Sequence, residues 1–231
     1  MKIPSASSDP WLPYVAPMAA FLLLTSAESW LPKIGDGPDP TWYATLYSVK
    51  IAIVVAIAWA CRSTWRDLRP KPDLAAIGLA IGIGLAVAAL WVGLDPYYPR
   101  FGVSGTRAGF NPWTLPTSAR LPFLAVRLFG LIALVPLIEE LFWRSFLMRW
   151  LINPNFTTVP IGKVTLAAAA ITSGMFALAH PEEWLPAVLT GLSWAWLLYR
   201  TKSVSACVIS HMVANLGLGV YVLAREAWKF W

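Results

Sequence analysis

The sequence predicts an all-α, polytopic membrane helix bundle, and three observations predict it. Of the 231 residues, 58% are hydrophobic, and the mean hydropathy is +0.60. Charged residues make up 13% of the chain, against roughly 25% in soluble domains. Apolar runs also recur along the chain, each approaching the ~20 residues that cross a bilayer as a helix. The chain is therefore expected to lie in the lipid bilayer.

Seven apolar runs define the candidate transmembrane helices, and an eighth is possible. The runs cover about 11–30, 42–61, 74–94, 121–148, 161–180, 184–200 and 204–224. The segment 95–118 is dense in Pro, Gly and aromatic residues, so it is expected to be a long loop. One integral membrane domain is expected to cover 1–231.

The charges of the connections predict an orientation. The connection 62–73 carries four Lys or Arg residues, whereas 31–40 carries two Asp and one Lys. The positive-inside bias places 62–73 in the cytoplasm. The expected location is the cell (inner) membrane, as a multi-pass protein with a cytoplasmic N-terminus.

Composition also limits the partners. The net charge of +6 comes mostly from loop residues, and no basic stripe with interleaved aromatics is present, so no nucleic-acid partner is expected. Cys61 and Cys207 have no spacing typical of zinc ligands and are interpreted as small hydrophobic residues. Gly78, Gly82 and Gly84 are interpreted as a small surface for close helix packing.

The tryptophans cluster near segment ends, where amphipathic rings favour the headgroup level. Those near segment ends are Trp11, Trp30, Trp42, Trp91, Trp113, Trp184 and Trp228. They are interpreted as an interfacial belt.

Three short polar motifs interrupt the apolar segments within 135–220, which we interpret as the catalytic core. They are EExxxR at 139–144, FxxxH at 176–180 and HxxxN at 211–215, and they include both histidines of the chain. Ionisable groups at the centre of a membrane helix cost at least ~2.5–3.5 kcal/mol each. An intramembrane active site is therefore the first hypothesis.

Helical spacing predicts different partners for the two glutamates of the first motif. Residues four apart share a face of a helix, whereas neighbours are about 100° apart. Glu140 is therefore expected to pair with Arg144, which leaves Glu139 free to meet a water or a substrate. The same spacing puts Phe176 on the face of His180.

The polar side chains match the roles that hydrolysis of an amide requires. Glu139 takes a proton from water, and His180 orients that water and shuttles the proton. His211 and Asn215 share a helix face and donate hydrogen bonds to the developing oxyanion, each donor contributing ~2.7–4 kcal/mol.

Two alternatives remain open. Two His with one or two Glu can bind zinc and leave a position for water, although the chain has no HExxH motif and Asn is a poor zinc ligand. Zinc is thus the one cofactor considered, and the residues favour none. Intramembrane Glu and His also serve as proton or ion relays in small transporters, but no pair of broken half-helices in two repeats is apparent.

The ordered motifs EExxxR, FxxxH and HxxxN resemble those of the CAAX protease and bacteriocin-processing enzyme (CPBP or Abi) family of glutamic intramembrane proteases, including its bacterial prenyl-protease-related subgroup. The resemblance implies peptide-bond hydrolysis without a metal and a membrane-associated peptide or protein substrate. It implies water activation by Glu139 and His180 and an oxyanion hole of His211 and Asn215. Some relatives are bacteriocin-immunity proteins, so a non-proteolytic role is the alternative.

One geometrical conflict follows from these assignments. A straight helix over 121–148 places Glu139 about 27 Å from its outer end, whereas His180 terminates the fifth segment near the outer side. A kink at Pro136, or a fifth helix that starts and ends deeper, is needed to bring the two groups level.

Overall fold

The computed structural model describes residues 9–35, 37–99 and 109–231, and it shows an all-α membrane helix bundle. The predicted fold class is confirmed. The strands in this part of the chain are a short antiparallel pair, Lys33–Ile34 with Gly37–Pro38. Residues 1–8 at the N-terminus, Asp36 and the middle of the predicted 95–118 loop lie outside the described residues.

Each predicted apolar run coincides with helix. The helices are α1 (Leu12–Ala27), α2 (Pro40–Ala60), α3 (Leu74–Leu94), α4 (Thr117–Phe129), α5 (Val135–Glu140), α6 (Met148–Ile152), α7 (Leu166–Leu178), α8 (Trp184–Thr201) and α9 (Val204–Arg225). Within the described ranges, four helical segments are long and apolar enough to cross a membrane: Pro40–Ala60, Leu74–Tyr97, Thr117–Ile152 and Val204–Arg225. The apolar helix α7 is shorter.

Side-chain caps fix where three of these helices begin. Asp39 accepts hydrogen bonds from the backbone N–H groups at the start of α2, at 2.9 and 3.2 Å. Asp73 caps α3 in the same way at 2.7 Å, and Ser203 caps α9 at 3.3 Å. Such caps satisfy backbone donors that have no partner inside the helix. The cap of α9 sets its register about two turns before His211.

The segment Thr117–Ile152 is one continuous helix with two π-helical turns, at Gly130–Leu134 and Leu141–Leu147. The turns flank α5, which carries Glu139 and Glu140. Pro136 has no backbone N–H, and its ring opposes a regular α-helical turn before it. The first π turn accommodates this proline, because Val135 donates its backbone N–H to the carbonyl of Gly130, five residues back.

The fifth predicted segment is shorter than its hydropathy indicates. It forms α7 only from Leu166, whereas the run begins at 161. The residues before it form a loop with a 3₁₀ turn at Phe156–Thr158, and Phe156 is 2% exposed. Glu139 and His180 line one cavity in this arrangement. The expected conflict in depth is therefore absent.

The loop after α2 is tied to the bundle by one carboxylate. Asp67 accepts hydrogen bonds from the Tyr14 hydroxyl at 2.6 Å, the Ser145 hydroxyl at 2.6 Å and Arg149 Nη2 at 2.7 Å. These donors lie on α1, on the second π turn and on α6. The carboxylate thus holds three parts of the chain together at the end of the helix that carries Glu139.

Of the three glycines in α3 that the sequence singled out, only Gly84 lies against α9. A Cβ atom on Gly84 would lie 2.4 Å from the backbone oxygen of Ser210. A Cβ atom on Gly78 or Gly82 would meet no atom within 4 Å. The expectation that all three glycines form the packing surface is therefore wrong for Gly78 and Gly82.

Replacing Gly84 by alanine is expected to destabilise the protein by about 1–3 kcal/mol, the usual cost of overpacking a core. The new methyl group meets backbone, which cannot rotate away as a side chain can. The midpoint of thermal unfolding in detergent measures the effect. Gly82→Ala is the matched control and should retain or slightly raise the midpoint, since alanine favours helix. Equal midpoints for the two variants would contradict the packing described.

Candidate active site

A cavity of about 320 Å³ lies inside the bundle, and we call it the central cavity. Glu139, His180, His211 and Asn215 all line it. They come from α5, from the end of the α7 segment and from α9. Further lining residues come from α1, α2 and α3. The structure therefore brings the four candidate residues to the wall of one cavity.

Glu139 is 5% exposed, and its Oε2 atom has no hydrogen-bond partner among the described residues. A buried carboxylate oxygen without a donor is costly to desolvate. The Glu139 side chain adjoins the central cavity. Glu139 is thus available to a small polar molecule inside it.

Glu140 is fully buried; its Oε1 atom contacts His211, whereas its Oε2 atom forms an ion pair with Arg144 without hydrogen-bond geometry. Oε2 lies 3.1 Å from Arg144 Nε, and Oε1 lies 3.0 Å from His211 Nδ1. The pair with Arg144 is the one that the four-residue spacing predicts. The contact with His211 is new, because it joins the first motif to the third across two helices. Sequence spacing contains no signal for such a contact.

Arg144 lies between two aromatic faces. Its guanidinium carbon is 5.5 Å from the centre of the Phe176 ring and 5.1 Å from that of Trp194. Cation–π contacts of this kind contribute about 0.5–2 kcal/mol each. They provide the partners that a guanidinium 2% exposed requires. Phe176 of the second motif therefore supports the first motif.

Trp194 on α8 is a site residue that sequence reasoning missed. Its ring stacks on the His211 imidazole, with centroids 4.3 Å apart, and its Nε1–H donates to the Ser210 hydroxyl at 3.0 Å. Trp194 lies in the middle of its apolar segment rather than at an end. That position distinguishes it in the sequence from the tryptophans of the interfacial belt.

Trp91 is not simply part of the interfacial belt. It lines the central cavity, its ring meets the His180 imidazole edge to face at 5.5 Å, and its Nε1–H donates to the Thr190 hydroxyl at 2.9 Å. By contrast, Trp11, Trp30, Trp42 and Trp113 are 39–86% exposed. The belt interpretation suits these four residues better than it suits Trp91.

The hydrogen bond of His180 defines its tautomer. Nδ1 lies 2.9 Å from the carbonyl oxygen of Phe176. A carbonyl only accepts, so Nδ1 carries the proton and the neutral ring keeps a lone pair on Nε2. His180 can therefore accept a proton or a hydrogen bond from water at Nε2.

Asn215 is held by the first π turn. Its Nδ2 atom donates to the carbonyl oxygen of Leu131 at 2.7 Å. Val135 N–H bonds to Gly130 instead of Leu131, and Pro136 has no N–H to offer. The Leu131 carbonyl therefore needs a donor from outside its helix. One N–H of the Asn215 amide fills this need, and the other remains for a ligand.

Among the described residues, no group of His, Cys, Asp and Glu brings three possible metal ligands to one point. Glu140 and His211 Nδ1 are also engaged with each other. This donor set does not fit catalytic zinc, which takes three protein ligands. Cys61 and Cys207 are free thiols, and Cys207 is fully buried.

The fold and the site define a membrane helix bundle whose central cavity is lined by glutamate, histidine and asparagine residues of the three motifs. Residues 121–217 match the family model described as type II CAAX prenyl endopeptidase Rce1-like. This segment contains all three motifs, so the resemblance to the CAAX protease family is confirmed. The match supports a CAAX-type membrane protease, a peptide hydrolase. No curated protein and no solved structure matches the chain.

The bridging position of Glu140 predicts a large effect on stability. Glu140→Gln leaves the buried Arg144 guanidinium without its counter-charge, and breaking a buried pair costs about 3–5 kcal/mol. Thermal unfolding in detergent should show the loss. Adding Arg144→Met should restore part of the stability, because it removes the stranded charge. A double variant no more stable than Glu140→Gln alone would contradict this account of the pair.

Proposed function

We propose that this protein is an intramembrane endopeptidase of the CAAX-prenyl-protease-like type that hydrolyses a peptide bond with a water activated by glutamate and histidine. One observation carries the proposal: Glu139, with an unpartnered buried oxygen, shares a cavity with His180, His211 and Asn215 inside a membrane bundle. The substrate is a membrane-associated peptide or protein.

The first step uses Glu139 and His180. The Glu139 carboxylate accepts a proton from water while Nε2 of His180 accepts a hydrogen bond from the same molecule. The water oxygen attacks the scissile carbonyl carbon, and the carbonyl oxygen becomes an oxyanion. When the intermediate collapses, the C–N bond breaks and Glu139 returns its proton to the leaving nitrogen. Each proton transfer in these reaction steps has a donor and an acceptor in the protein, the water or the substrate.

In the same mechanism, His211 and Asn215 stabilise the oxyanion. Asn215 offers its remaining N–H. His211 holds Glu140 through Nδ1, so Nε2 donates only if it also carries a proton. Oxyanion stabilisation by His211 therefore uses the ring with protons on both nitrogens. A cationic donor at this point stabilises the oxyanion more than a neutral one.

The two neighbouring glutamates therefore have separate roles. Glu139 handles the proton, whereas Glu140 positions His211 and balances Arg144. Removing Glu139 should abolish the chemistry and spare the fold.

Glu139→Gln is expected to reduce hydrolysis by at least about 1,000-fold, in line with the loss of a general base and its water. Its thermal midpoint should equal that of the wild type. Cleavage of a fluorogenic, farnesylated CAAX-box peptide and of its non-prenylated counterpart measures the activity. Glu226→Gln, the same change at an exposed position outside the cavity, is the matched control and should remain active.

The same assay tests the alternatives. Hydrolysis should persist in EDTA or phenanthroline, and stoichiometric zinc whose removal abolishes activity would favour a metalloprotease instead. A wild-type protein that cleaves neither peptide, or a fully active Glu139→Gln variant, would contradict the proposed mechanism.

We also propose that the protein lies in the cell (inner) membrane with its N-terminus in the cytoplasm, from the basic residues of the 62–73 connection. Ser29 and Ser63 are exposed and follow opposite ends of the α1 and α2 hairpin. In a Cys61→Ser background, Ser29→Cys should react with an impermeant thiol reagent from outside intact cells. Ser63→Cys should react only after the membrane is opened, and the reverse labelling would overturn the orientation.

A further inference from the structure

A second polar region lines the central cavity away from the candidate catalytic residues. It is formed by Arg127 of α4, Tyr43, Tyr47 and Lys50 of α2, and Glu28 after α1. Arg127 is 9% exposed and its side chain faces this cavity. None of the three sequence motifs includes these residues.

Of the two cationic side chains in this region, Lys50 has an ion-pair partner and Arg127 has none among the described residues. Lys50 forms an ion pair with Glu28, and it also donates to Thr25. Arg127 forms no ion pair with any residue that the structure describes. Its Nη1 atom donates a hydrogen bond to the Tyr43 hydroxyl at 3.3 Å, and its guanidinium makes cation–π contacts with Tyr47 and Trp231, at 4.5 and 5.5 Å. The buried Arg127 charge therefore has no ion-pair partner of its own among the described residues, since Glu28 is paired with Lys50.

The unused part of the guanidinium has a defined shape. Nε is buried and has no hydrogen-bond partner in the described chain. Nη1 is directed to Tyr43, and the opposite edge of the guanidinium, formed by Nε and Nη2, has the geometry to donate two parallel hydrogen bonds. This edge matches the two oxygens of a carboxylate. Burying a guanidinium without such a partner is unfavourable, which points to a ligand that supplies one.

The distance to Glu139 fits a peptide. Arg127 precedes Glu139 by twelve residues on the same helical segment, about 18 Å along its axis. An extended chain covers 3.3–3.6 Å per residue, so about five residues span the distance between the two backbone positions, and fewer span the distance when the two side chains extend toward each other. A peptide can thus reach both positions within one cavity.

We propose that Arg127 binds a carboxylate of the peptide in the central cavity and so selects substrates with an anionic group a few residues from the scissile bond. The proposal rests on the proposed function for the identity of the ligand. The carboxylate comes either from the C-terminus of the peptide or from an acidic side chain. Both sources present the same two oxygens to the guanidinium.

Binding of three labelled peptides to the uncleaving Glu139→Gln protein tests the proposal. The peptides share one sequence and end in a free carboxylate, in an amide, or in an amide preceded by Asp. The free acid should bind roughly 10- to 100-fold more tightly than the plain amide, the usual range for a hydrogen-bonded charge. Tight binding of the Asp peptide would assign side-chain carboxylates to the site as well, and weak binding would restrict it to the C-terminus.

Adding Arg127→Gln to the Glu139→Gln protein should remove the tighter binding of the free-acid peptide over the amide peptide. Its thermal midpoint without peptide should be unchanged or higher, because an unpaired buried charge is gone, and a purely structural arginine would instead lower the midpoint. Arg225→Gln, an exposed position outside the cavity, is the matched control and should retain the preference. Arg127→Lys should keep part of it, since lysine retains charge without the two-donor edge.

The outcomes separate this proposal from the proposed function. Equal binding of acid and amide peptides, or equal loss of both in Arg127→Gln, overturns the carboxylate site. If phosphatidylglycerol stabilises the wild type but not Arg127→Gln while the peptides bind alike, the site holds a lipid phosphate and the proposal is wrong. If the wild type cleaves none of the peptides yet prefers the acid through Arg127, the anion site stands and the protease proposal fails.

Discussion

The buried Glu140 carboxylate is the interaction on which the arrangement of the site depends. It contacts Arg144 within its own helical segment and His211 on α9. An isolated carboxylate at this depth would be unstable, so both partners are required. Arg144 in turn needs the rings of Phe176 and Trp194. The Glu140 charge thus links α5, α7, α8 and α9 through these contacts. They also fix the position of the neighbouring Glu139.

Local patterns predicted the parts of this structure that local forces determine. The helices follow from apolar runs, and the Glu140–Arg144 pair follows from residues four apart on one helix. The Glu140–His211 contact, the position of Trp194 and the Asn215–Leu131 bond were not predicted, because they depend on how separate helices pack. Gly82 and Gly84 are alike in sequence, and only the neighbour across the interface distinguishes them.

The cavity combines two kinds of polar group with different environments. Near the motifs, each charged or imidazole group except Glu139 has a partner in the chain. Near α2, the Lys50 and Glu28 charges cancel, and Arg127 alone lacks a counter-ion among the described residues. The cavity wall thus holds a buried carboxylate oxygen of Glu139 and a buried guanidinium nitrogen of Arg127 that lack hydrogen-bond partners among the described residues, about 18 Å apart along one helical segment. The remaining wall is mostly apolar.

The two π turns around α5 have a consequence for alignment of related sequences. Each π turn holds one residue more than an α-helical turn, and one residue of an α-helix corresponds to about 100° of rotation. The direction of Glu139 is therefore set separately from the faces that α4 and α6 present to their neighbours. A one-residue gap between 130 and 147 would scarcely change the length of this membrane helix. It would turn the glutamate away from the cavity, so such a gap marks a change of direction rather than of span.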